Sequence, residues 1–72
     1  MIDKIITKLQ RLDRQIRNTE AEIQVNQQDN NIERTAFLEG RKDALGNAYR
    51  DLKSLIEGTP ELTKWEGEYF KE

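Results

Sequence analysis

Apolar residues recur every seven positions along the first part of the chain. Ile2, Leu9, Ile16 and Ile23 make one series, and Ile5 and Leu12 occupy the positions between them. Two interleaved series of this kind draw one apolar seam along a helix that packs lengthwise against another helix. Thr19 and Asn26 continue the second series with polar side chains, so the seam loses hydrophobicity toward its end. Residues 1–39 contain neither glycine nor proline. The polar stretch Gln24 to Asn31 reads as the turn, which predicts a helix over about residues 2–25 and a turn at about 26–30.

A second start signal follows at once. Asn30 is a suitable N-cap, and Glu33 three residues on completes a capping box. Leu38, Leu45 and Leu52 then repeat every seven, flanked by Phe37, Ala48 and Leu55 on one side and by Tyr49 and Ile56 on the other. Gly58 followed by Thr59-Pro60 is a strong stop, which predicts a second helix over about residues 31–57. Pairing Leu45 with Leu12 in an antiparallel hairpin sets Leu52 near Ile5, Leu55 near Ile2 and Leu38 beside Thr19. Thr59, Pro60 and Glu61 read as the N-cap and first residues of a short third helix. Leu62, Trp65 and Tyr69 share one face of it with Phe70 alongside, and Gly67 weakens it. The expected fold is all-α: a coiled-coil-like two-helix hairpin in residues 1–58 and a short aromatic helix in residues 59–72.

Composition adds a limit on self-sufficiency. The chain has 72 residues, and a core drawn from so few residues rarely supplies more than about 3–5 kcal/mol without a staple, a metal or a second copy. It has no cysteine and no histidine. Disulfides, thiolate nucleophiles and the commonest general base are therefore excluded. A homo-oligomer, most simply a dimer, is the expectation that remains. Ser54 is the only serine, with no histidine to activate it. No phosphate-cradling glycine loop is present, and the Gln24–Asn31 turn lacks the acidic spacing of a calcium loop. The chain reads as non-enzymatic, with no cofactor and no metal.

Charge narrows the partners. The net charge is −2, whereas dedicated nucleic-acid modules normally carry a basic excess. The first eighteen residues are nevertheless basic, holding Lys4, Lys8, Arg11, Arg14 and Arg17 against Asp3 and Asp13. Lys4, Lys8 and Arg11 read as a solvated helix face, with phosphate contact as the lesser alternative. No apolar run approaches the roughly 20 residues of a membrane span, so the expectation is a cytoplasmic protein without a membrane partner.

Three groups of residues are candidates for function. Arg34 and Arg41 lie seven apart, in phase with Ala48 and Leu55, in the middle of the expected apolar face. Buried charges need partners, so they pair with Glu20 and Glu22, snorkel past the hairpin edge, or form an anionic-ligand pocket with Lys42, Tyr49 and Arg50. Ala36, Gly40, Ala44 and Ala48 make a ridge with no large side chain. That ridge is either an oligomer or partner interface, or merely a surface that tolerates glycine. Trp65, Tyr69 and Phe70 are expected to cap the open end of the hairpin against Ile2, Ile6 and Ile56, and otherwise to anchor an external protein.

The run IERTAFLEGRKDALGNAYRDL, Ile32 to Leu52, resembles the second helix of small hairpin proteins encoded in bacteriophage genomes. The likeness extends in architecture over residues 1–57. Phage hairpins of this size include inhibitors of bacterial defence, so the resemblance implies an accessory protein that inhibits or adapts a host protein. Helical-hairpin sponges that sequester cyclic-nucleotide signals share the topology, but their motif is not found here and no ligand residue is carried over. A nucleotide sponge is the alternative expectation, and a structural part in phage assembly a third.

Overall fold

A computed structural model describes residues 1–71; Glu72, the last residue of the expected C-terminal segment, lies outside them. The chain folds as three helices, α1 (Ile2–Gln28), α2 (Ile32–Ser54) and α3 (Pro60–Tyr69). α1 and α2 pack as an antiparallel hairpin, and α3 returns alongside its open end, in a particle of 44 × 25 × 16 Å. The all-α class and the hairpin agree with the sequence pattern.

The seam of α1 is the predicted one. Leu9, Thr19 and Ile23 are buried, and Ile2, Ile5, Leu12, Ile16 and Asn26 are partly buried. These eight positions alternate three and four apart, the spacing that keeps one edge of a helix against its neighbour. Thr19 is only 3% exposed and its hydroxyl donates to the Gln15 carbonyl at 2.7 Å, so its polar group is satisfied within the helix.

α1 runs three residues past its expected end, to Gln28. The turn is correspondingly tighter, and Asn30 takes a left-handed φ of 58°, a conformation asparagine tolerates better than most residues. Asn30 is therefore not the cap. Asn31 is, its side chain accepting from the Arg34 amide at 3.2 Å, which leaves no capping box with Glu33. α2 ends at Ser54, three residues earlier than the sequence suggests, and residues 55–58 form turns. Gly58 closes them at φ 84°, the left-handed conformation that glycine adopts without strain.

With the turn closing at Asp29–Asn31, a different edge of α2 faces inward from the one the Leu45–Leu12 pairing implies. The inward edge of α2 is Thr35, Leu38, Lys42, Leu45, Tyr49 and Leu52, with Gly46 and Lys53 half-buried beside it, and Ile56 continues that edge in the turn after the helix. Ile56, not Leu55, joins Leu9 and Leu62 in the core, with Ile2, Ile5, Ile6, Tyr49, Leu52 and Trp65 packed around them. Leu55 is 70% exposed, which corrects its expected place beside Ile2.

α3 is positioned by Thr59. Its hydroxyl donates to the Ile56 carbonyl at 2.7 Å and accepts the Leu62 amide at 3.3 Å. One side chain thus fastens the end of the Leu55–Gly58 turn to the first turn of α3. Pro60 occupies the first helical position, where its missing N–H costs nothing.

Candidate functional site

The aromatics of α3 form a stacked group that closes the hairpin. Trp65 stacks on Tyr69 with ring centroids 5.0 Å apart, and Phe70 meets both rings edge-on at 5.6 and 5.0 Å. Leu62 is buried and Trp65 packs against the Leu9 cluster with Ile2, Ile6 and Ile56, whereas Tyr69 and Phe70 reach further along α1 to Asp13 and Arg17, with Phe70 41% exposed. Contacts from both hairpin helices hold α3 and its C-cap Phe70 laterally. Lys53 Nζ on α2 lies 3.0 Å from Glu66 Oε2, and the Arg17 guanidinium on α1 sits 6.0 Å from the Phe70 ring centre.

Two tyrosine hydroxyls titrate high in this half of the molecule. Desolvation raises the Tyr49 pKa above its ordinary value, and the charges of Asp13 and Glu66 push in the same direction. Tyr69 is raised by desolvation, then by a hydrogen bond to Asp13 and that residue's charge, with Arg17 and Arg14 opposing. Asp13, a polar residue on α1 that the apolar pattern passes over, thus bears on both phenols. Trp65 Nε1 is buried with no hydrogen-bond partner, so packing rather than polar contact holds the indole.

The five cationic and phenolic candidates are not gathered into one pocket. Arg34 is half-exposed and 3.7 Å from Glu22, with its guanidinium 5.2 Å from the Phe37 ring centre. Arg41 is exposed on the same flank and makes no ion pair among the described residues. Both sit beside the seam rather than in it, which corrects their expected position in the apolar face. Lys42, not Arg41, approaches Glu20, at 4.0 Å. Tyr49 lies under α3, and Arg50 donates to the side chain of its own helix neighbour Asn47.

A groove opens where α3 stops. α3 lies along α1 as far as Asp13 and Arg17 and meets α2 through the side chains of Tyr49, Leu52 and Lys53. On the same side a furrow between α1 and α2 continues toward the Asp29–Asn31 turn without a third helix. Ile16, Gly46 and Arg50 line its first part, and Glu20, Ile23, Glu39, Lys42 and Asp43 the second. Three carboxylates against one seam lysine make the far part acidic. Sequence reasoning missed it because no single helix carries it. The available signal was the short length of α3, too few residues to cover a hairpin of this span.

The ridge residues Ala36, Gly40, Ala44 and Ala48 are all exposed; Ala36 lies on the groove side with Gln27 and Glu39, and Ala44 and Ala48 lie on the opposite flank of α2. Phe37 and Leu55 stand on the same flank, 53% and 70% exposed. A Cβ added at Gly40 would meet no atom within 4 Å. No helix among the described residues is long and apolar enough to cross a membrane. Compared with protein families, with characterised proteins and with solved structures, the chain shows no match.

Proposed function

We propose that the chain is a non-catalytic, stoichiometric binding protein, a self-associating helical hairpin that takes one helix of a protein target into its open groove. The observation that carries this reading is α3. It covers the half near the termini as a single amphipathic helix with an apolar face of Leu62 and Trp65, and on the same side the furrow toward the turn is unfilled. Ile16 and Ile23 supply an apolar floor there, and Glu20, Glu39 and Asp43 an acidic rim. A fitting target helix carries an apolar stripe flanked by lysine or arginine. Within this reading the target is a host protein that the chain inhibits or adapts, a part that rests only on the wording of Ile32 to Leu52.

The test reverses the rim. Both Glu39 and Asp43 are exposed, so the pair Glu39→Lys and Asp43→Lys should fold normally by circular dichroism. Affinity capture from bacterial lysate should yield a protein with the wild-type chain and lose it with the reversed rim. Capture that survives the reversal, or no specific capture at all, contradicts the groove reading.

A further inference from the structure

A second periodic stripe runs along α2 on the flank turned away from α3. Phe37, Arg41, Ala44, Ala48, Asp51 and Leu55 alternate four and three apart, and all six are exposed. This is the spacing of a helix packed lengthwise on another helix, yet among the described residues no helix lies against it. The stripe is also self-complementary on reversal. Large apolar residues stand at its ends, alanines at its centre, and an arginine and an aspartate between, at equal distances from the midpoint.

We propose that this stripe is the interface of a symmetric homodimer in which α2 packs antiparallel on the α2 of a second copy. The inference rests on the self-association reading above and adds its surface and register. With the two-fold axis midway between Ala44 and Ala48, Ala44 meets the partner's Ala48. Arg41 then meets the partner's Asp51, and Phe37 meets the partner's Leu55. Each contact occurs twice, as a closed two-fold interface requires. The central alanines let the helix axes approach closely, and the ends supply apolar area. The charges select the direction. A parallel pair in register would set Arg41 on Arg41 and Asp51 on Asp51, a repulsive arrangement, whereas the antiparallel pair makes two opposite-charge contacts.

Gly40 fits the same picture. Glycine is unfavourable inside a helix, and the open space around it shows no contact within one chain that calls for it. It borders the stripe one turn from Ala44, where a second helix approaching closely supplies a use for a missing side chain.

Sedimentation analysis from low to high micromolar concentration tests the register with two exposed charge reversals, R41D and D51R. The wild-type chain should dimerise. Each single variant brings like charges together at both ends of its homodimer and should associate at least roughly tenfold more weakly. An equimolar mixture of R41D and D51R should recover dimer, because a heterodimer of the two restores an opposite-charge pair at both positions. Circular dichroism confirms that each variant keeps its helices. A wild-type chain that stays monomeric throughout overturns the inference together with self-association. A wild-type dimer unaffected by the single reversals, or a mixture that recovers nothing, overturns the inference alone.

Discussion

The two halves of the hairpin share the same two helices and differ in what covers them. In the half near the termini, Ile2 to Asp13 on α1 and the stretch from Tyr49 on α2 to Ile56 in the turn after it are covered on a third side by α3. Leu9, Ile56 and Leu62 are buried there, with six further apolar side chains around them. Toward the turn, the seam narrows to Ile16, Ile23, Leu38 and Leu45 and takes in Thr19, Asn26, Thr35 and Lys42. Apolar burial scales with area removed from water, so most of the folding free energy resides in the three-helix half. The two-helix half exchanges stability for an accessible groove and flank. A chain this short divides the roles of core and binding surface along its axis.

The sharpest way to break that division is to empty each half in turn. Leu9→Ala removes a fully buried side chain among three helices, and the expected loss is about 3–5 kcal/mol, enough to unfold much of the population. Leu38→Ala deletes an equally buried leucine between two helices, where the site can collapse further. Its expected cost lies nearer 2 kcal/mol. Urea titrations followed by helicity measure both, and an order reversed between the two contradicts the comparison.

Trp65→Ala should cost about 3 kcal/mol, and native tryptophan emission should be blue-shifted and move red on denaturation. A water-exposed native spectrum would mean that α3 does not cap the hairpin. Lys42→Leu should raise the urea midpoint, corresponding to about 1 kcal/mol. It replaces a half-buried seam lysine, whose contact with Glu20 is long and half-exposed, by an apolar residue. No gain would show that the upper seam is not a stability sacrifice. Trp65→Phe removes the unpaired buried indole N–H but keeps an aromatic ring, so it should stay within about 1.5 kcal/mol of wild type.

The three-helix half should also lose stability in alkali. Folding raises the Tyr49 and Tyr69 pKa values, so the folded state holds their protons more tightly than the unfolded state. Their contribution is complete below the unfolded tyrosine value near 10 and is lost as pH rises through the folded values. Tyr49→Phe with Tyr69→Phe should flatten the fall in thermal midpoint above about pH 10. An unchanged slope would contradict it.

Much of this division is legible in the residues. The three-four spacing from Ile2 to Asn26 specifies the α1 seam, and Gly58-Thr59-Pro60 states both a stop and a restart. Thr59 then makes the cap its position implies. The inward edge of α2 is not legible in the same way, because Leu38, Leu45 and Leu52 complete two equally regular stripes. One includes Tyr49 and Ile56, the other Ala48 and Leu55. Which of them faces α1 depends on where the turn closes, and that depends on Asn30 accepting a left-handed backbone so that Asn31 can cap α2. Two adjacent asparagines offer the same local chemistry, and only the closed hairpin distinguishes them. The acidic groove was hidden for a related reason, since its residues come from both helices and meet only in the final register.

Amide hydrogen exchange along α1 tests the central claim most directly, because α1 runs through both halves and lies outside the proposed self-contact. Protection reports the free energy of the opening that exposes each amide. Amides from Ile6 to Asp13 should exchange only through global unfolding, while those from Glu20 to Gln27 should exchange faster, through an opening that leaves the three-helix half intact. Uniform protection along α1, or faster exchange in its Ile6–Asp13 half, would contradict the account.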